Sequence, residues 1–75
     1  MEELVKSIAI ALVDNPDEVE VTVVETDSSV NLELRVAQGD MGKVIGRQGR
    51  IAKAVRTVVR SAASGTHKRI NIDIV

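Results

Sequence analysis

Apolar residues recur at Leu4, Val5, Ile8, Ala9, Ala11 and Leu12, the spacing that gathers side chains on one side of a 3.6-residue helix. The pattern predicts an amphipathic helix over residues 2–13. Asp14-Asn15-Pro16-Asp17 ends it, because the residue before proline is pushed out of the helical region and proline has no N–H for the next bond. The period then falls to two. Val19, Val21 and Val23 alternate with Glu20, Thr22 and Val24, and after the turn chemistry of Thr26-Asp27-Ser28-Ser29, Val30, Leu32, Leu34 and Val36 alternate with Asn31, Glu33, Arg35 and Ala37. Two half-buried strands this close together predict an antiparallel hairpin.

Gln38-Gly39-Asp40 breaks the second strand, and Asp40 is expected to cap a short helix over residues 41–45. Gly46-Arg47-Gln48-Gly49 interrupts that helix, and a longer one follows over about residues 49–63. Counted at about 100° per residue from Arg50, Ile51, Val55, Val58, Val59 and Ala62 fall between roughly 80° and 180°, whereas Arg50, Lys53, Arg56 and Arg60 fall between roughly 240° and 360°. One side is expected to be core and the other basic. Ser64-Gly65-Thr66 closes the helix with a glycine, and Ile70, Ile72 and Ile74 alternate with Asn71, Asp73 and Val75 in a third strand.

The resulting order is α-β-β-α-α-β. Since every strand alternates, each buries one face only. The expected fold class is therefore α+β, in two layers: a three-stranded sheet with helices on one face and water on the other.

Composition narrows the functions. The chain has 75 residues, of which 44% are hydrophobic and 28% charged, so one small domain across residues 1–75 is expected, burying only about 60% of its unfolded surface. It has no cysteine, which removes thiolate chemistry, disulfides and Cys-based zinc sites and suits a reducing, cytoplasmic location. A lone His67 cannot build a multi-histidine site, so no metal or cofactor is expected. Apolar runs stay far below the ~18 residues of a membrane span, and the acidic start Met1-Glu2-Glu3 is unlike a signal peptide. Aromatic residues are absent, so any nucleic acid must be held without stacking platforms.

The formal net charge of −1 conceals a division. Residues 1–39 carry nine acids against Lys6 and Arg35, while residues 40–69 carry eight bases against Asp40 alone. Such a basic half suits an anionic partner, although a charge run by itself also describes a solvated helix face. Within that half, Gly46 and Gly49 allow a tight turn and leave backbone N–H groups uncovered beside a helix start, where partial positive charge favours phosphate. Arg47 and Gln48 occupy the loop tip, and Arg50 and Lys53 follow on the next turn. G-x-x-G alone is more often a mere turn; its setting between two helices in a basic half is what points to a grip on a sugar–phosphate backbone.

Val44-Ile45-Gly46-Arg47-Gln48-Gly49-Arg50-Ile51 resembles the signature of KH domains, single-stranded nucleic-acid-binding modules whose G-x-x-G loop clamps about four nucleotides. The element order resembles the type II, bacterial arrangement, and the extent of the match is similar to the stand-alone bacterial KH proteins of the KhpA family. One departure stands out: many KH signatures place Ile three residues after the second glycine, where this chain has Ala52, with Ile51 one place earlier. The resemblance implies that Gly46 and Gly49 permit close approach to phosphates, that Arg47 and Gln48 face the backbone, and that Ile45 lines the groove for bases, with Arg50 and Lys53 flanking it. Lys43, Arg56, Lys68 and Arg69 are secondary RNA contacts on this reading; for Arg56, as for Arg60, simple solvation of the helix is the alternative. Met41 and Val44 are expected in the core, and His67 in an exposed loop.

By resemblance, the chain binds single-stranded RNA as a chaperone or post-transcriptional regulator. It would pair with a larger bacterial KH-domain protein as a heterodimer, with a link to cell shape and cell-wall homeostasis. A homodimerising interaction module and a single-stranded DNA binder remain the alternatives. Enzymatic activity is not expected: there is no Walker A spacing, and Ser61, Ser64 and Thr66 have no paired base to activate them.

Overall fold

Helix α1 (Glu2–Leu12) buries Val5 and Ala9 and ends one residue short of the expected position, with the extended Val13 between it and the Asp14-Asn15-Pro16 break. The structure, a computed structural model, describes residues 1–63, 65 and 67–75. Strands β1 (Glu20–Glu25) and β2 (Ser29–Arg35) form the expected antiparallel hairpin, with Val21 opposite Leu34 and Val23 opposite Leu32. Thr26 holds the turn: the N–H groups of Ser28 and Ser29 donate to its hydroxyl. Helix α2 (Met41–Ile45), the Gly46–Gly49 loop and helix α3 (Arg50–Ala62) then carry the chain to β3 (Arg69–Ile74). That strand pairs parallel with β2, Leu32 beside Ile72, and the sheet order is β1-β2-β3.

Alternation decides the layers. Val30, Leu32, Leu34 and Val36 of the β2 segment and Ile70 and Ile72 of β3 are buried under the helices, together with Val44, Val55 and Val59 from α2 and α3. Ser29, Asn31, Glu33 and Arg35 of β2, and Arg69, Asn71 and Asp73 of β3, lie on the other face, half-buried or exposed. The architecture is the two-layer α+β arrangement that the periodicity predicts, Met41 is half-buried, and His67 is exposed.

Three details differ from the expectation. Strand β1 is barely covered: only Val21 is half-buried, and Val23 is exposed on the helix side. It is an edge strand, overlain by α1. Helix α3 is rotated from the wheel's prediction, burying Ala52, Val55 and Val59, with Ala63 buried just past its end, while Val58 (45% exposed) and Ala62 face outward. A hydrophobicity wheel weighs side-chain polarity and not the shape of the surface on which the helix docks. Of the residues assigned to close this helix, Ser64 and Thr66 lie outside the described residues, and Gly65 has φ +95°.

Third, Asp40 stands at the start of α2 but its carboxylate caps nothing there. A 3-10 turn, Gln38–Asp40, leads directly into the helix and leaves Asp40 with helical angles, φ −99° and ψ −5°. Its side chain instead crosses to the chain leaving α1. The Asp14 N–H donates to Oδ1 at 3.3 Å, and the Asn15 N–H and Nδ2 donate to Oδ2 at 3.0 and 3.1 Å. Those N–H groups follow a terminated helix and need acceptors. Asp40 is 1% exposed, and Lys43 Nζ lies 3.6 Å from its Oδ1. Burial pushes its pKa up, but the Asn15 amide, the two backbone N–H groups and Lys43 outweigh it and hold the carboxyl below 3.8.

A carboxyl with a depressed folded pKa stabilises fully above its unfolded value of 3.8 and loses that contribution as pH falls through the folded value. Asp40→Asn keeps the shape but removes the charge. Its melting temperature, followed by circular dichroism, falls by about 5–10 °C at pH 7, and the difference from wild type shrinks on acidification below pH 3.8. Equal melting at pH 7 would show that the buried carboxylate stabilises nothing.

Candidate nucleic-acid interface

The loop between α2 and α3 is built from unusual backbone. Gly46 has φ +76° and ψ 172°, Gln48 φ +59° and ψ 23°, and Gly49 φ +73° and ψ 17°. The Gly49 N–H donates to the Gly46 carbonyl at 3.1 Å, closing the turn. Among the described residues Gln48 is the only non-glycine with positive φ, a conformation that costs an L-residue about 1–2 kcal/mol. Strain of that kind collects at functional loops. Here it accompanies the outward display of Arg47 and Gln48, both exposed.

Glycine at 46 is required twice over. Besides its φ, a Cβ there would sit 2.6 Å from Cγ1 of Ile51. Ile51, half-buried, thus fills the space that the missing side chain leaves, which explains the displaced isoleucine in the sequence: it covers the loop glycine. Ala52, where many KH signatures carry Ile, is buried. Gly49 has open space around it and needs glycine only for its angle. No side chain caps α3 at Gly49, so the positive end of a 13-residue helix faces outward with Arg50 and Lys53 exposed on its first turns.

Beside the loop lies a cleft of about 560 Å³. Ile45, Gly49, Ala52 and Arg56 form its helical side; Glu33, Asp73, Ile74 and Val75 form the side made by the sheet. Loop, helix start and cleft therefore bring together Ile45, Gly46, Arg47, Gln48, Gly49, Arg50 and Lys53, with Arg56 half-buried in the cleft wall.

The remaining bases are placed elsewhere. Lys43 pairs with Asp14 as well as Asp40, and its hydrogen bond to Asp14, against the opposing cost of burial, raises its pKa above 10.5. Lys68 pairs with Glu25. With Arg69 it lines a different cleft, beside Ser28, His67 and Asn71, at the end of β3 away from the loop, about five residues or 17 Å along the strand. Glu33, Asp73 and Ile74 of the cleft were not singled out from the sequence. Alternation assigns them to a face, but only the strand register and the docking of α3 bring that edge beside the loop.

The Gly46–Ile51 contact yields an expected pattern of denaturation midpoints. Gly46→Ala costs more stability than Gly49→Ala, which carries only the backbone penalty of about 1 kcal/mol. Truncating Ile51 to Ala removes the 2.6 Å contact with Cγ1 and leaves only the Cβ at 3.0 Å, so Gly46→Ala/Ile51→Ala loses less than the sum of the single changes. Strict additivity would remove the contact from the explanation.

Comparison with known proteins places the chain. A family model described as KhpA/KhpB, KH domain, matches residues 2–74. A protein of Caldanaerobacter subterraneus subsp. tengcongensis named RNA-binding protein KhpA is 57% identical over 75 residues, covering all of both chains. Its namesake in Clostridium acetobutylicum is 55% identical with the same coverage, and that of Listeria monocytogenes is 51% identical over all of this chain and 99% of the relative. No solved structure matches the chain significantly. The glycine loop, the α-β-β-α-α-β order and this full-length similarity agree: the chain belongs to the KhpA/KhpB family of KH domains.

Proposed function

We propose that this chain is a non-catalytic, cytoplasmic module that grips single-stranded RNA. The observation that carries the reading is the Gly46–Gly49 loop, whose positive-φ backbone displays Arg47 and Gln48 next to the uncapped start of α3 and opens onto the cleft. Phosphates lie along Arg47, Gln48, Arg50 and Lys53, where charge and free N–H groups converge. Bases enter the cleft and rest on Ile45, Ala52 and Ile74, since the chain has no aromatic ring to stack on them. Relatives named RNA-binding proteins support RNA as the ligand, with single-stranded DNA as the competing ligand of the same cleft. With its base paired to Asp14 and Asp40, Lys43 acts mainly in holding α2, and Lys68 and Arg69 extend the basic surface rather than the cleft.

A wider role as RNA chaperone or post-transcriptional regulator, alongside a larger KH protein and with a link to cell shape and the cell wall, rests on family membership alone. Pairing, with itself or with that larger protein, has one structural support: Ala54, Val58 and Ala62 form an exposed apolar strip on α3. A second linked site would raise the affinity of so small a binding surface.

Titration of a fluorescent single-stranded RNA at several salt concentrations tests the grip. Three or four contacted phosphates give a slope of log affinity against log salt of about −2 to −3. Arg47→Asp/Gln48→Asp abolishes binding while the protein stays folded. If the double variant binds as well as wild type, the loop is not the grip and its role lies in protein contacts. The same titration with DNA of matching sequence decides between the two nucleic acids.

A further inference from the structure

Strand β1 leaves one side of its backbone unpaired. Among the described residues it is hydrogen-bonded as a strand only to β2 and forms the edge of the sheet. The Thr26 N–H donates to the Ser29 carbonyl at 2.8 Å, and in an antiparallel ladder bonded pairs recur at every second residue. Val24, Thr22 and Glu20 therefore bond to their register partners Asn31, Glu33 and Arg35. The N–H and C=O groups of Val21, Val23 and Glu25 point the other way, off the edge. Proteins usually keep such edges unpaired with lysine, proline or a bulge. Residues 20–25 contain no lysine or proline, and all six hold unbroken register with β2. Val23 is 36% exposed on the helix side and Val24 57% exposed on the other, so a fourth strand would cover apolar surface as well as satisfy the free backbone groups.

Charge selects the occupant. Residues 17–27 carry five exposed acids, Asp17, Glu18, Glu20, Glu25 and Asp27, and no base. Among the described residues only Glu25 of these is ion-paired, with Lys68. Two copies of this edge would double the negative charge, so repulsion works against self-pairing; a strand rich in lysine or arginine is attracted. We infer that β1 is the docking edge for an extended, basic segment of a partner protein, which joins the sheet as a fourth strand. Apolar residues of that segment lie beside Val21 and Val23 on the helix side, and its cations alternate onto the open face beside Glu20. The other edge, β3, suits such a segment less: Arg69 and Asp73 give it mixed charge, and Asp73, Ile74 and Val75 border the proposed RNA cleft. With β2 between them, β1 and β3 are about 10 Å apart, so partner and RNA are held at opposite edges. Docking at β1 does not depend on the RNA grip.

The probe is a seven-residue peptide of alternating lysine and valine with blocked ends, and the readout is backbone amide exchange followed by NMR. In the free protein the Val21, Val23 and Glu25 amides exchange fast, whereas β2 protects those of Thr22 and Val24. Saturating peptide is expected to slow the first three by about tenfold or more. The same peptide with glutamate in place of lysine leaves them unchanged. Glu18→Lys/Glu20→Lys, at two exposed positions, keeps the fold by circular dichroism and weakens the lysine peptide about tenfold. Absence of protection at millimolar peptide, or equal protection by the two peptides, overturns the inference. Slow exchange of the three amides in the free protein that is lost on dilution would give the edge to a second copy, and slowing by single-stranded RNA would give it to nucleic acid; either result also overturns it.

Discussion

The parallel pairing of β2 with β3 is the constraint on which the rest of this small structure depends. Two strands that run the same way cannot be joined by a tight turn; the chain must travel back along the sheet, and it does so as helices. Together with α1, those helices cover the apolar face of Leu32, Leu34, Ile70 and Ile72. The crossover has to bend between α2 and α3, and the Gly46–Gly49 loop is that bend. The proposed nucleic-acid grip thus occupies the corner of a connection that the topology demands in any case, next to the sheet edge that the crossover has just covered.

Asp40 keeps the first half of the crossover in place. α2 has only five residues, too short to be stable from propensity alone. The buried carboxylate ties its start to the Asp14 and Asn15 N–H groups in the segment that follows α1, and Lys43, one turn into α2, balances the charge and reaches Asp14. α1 is thereby coupled to the element that leads directly into the loop, although none of its side chains lines the cleft.

The division of charge along the sequence acquires a spatial meaning. Two of the eight bases in the second half, Lys43 and Lys68, turn to Asp14 and Glu25 in the acidic half and help join the two parts. Arg47, Arg50 and Lys53 stay exposed at the loop and the start of α3, and Arg56 turns into the cleft. The basic half therefore divides into two sets, one holding the fold together and one standing at the proposed interface.

Much of this was legible in the sequence. Period-two alternation in three segments and a 3.6-residue pattern in two others gave the element order and the two layers, because burial of one face imposes those periods on any chain. The loop and its flanking bases were legible because paired glycines mark backbone that other residues seldom adopt. What tertiary structure alone decided depended on distance in space. Asp40 serves residues 25 and 26 positions away rather than its own helix. Ile51 occupies the volume above Gly46, and the docking of α3 turns Val58 outward and Ala52 inward. Glu33 and Asp73 meet beside the loop only through strand register. Periodicity reports which face a residue takes; it carries no information about which residue stands opposite, and that is settled by packing.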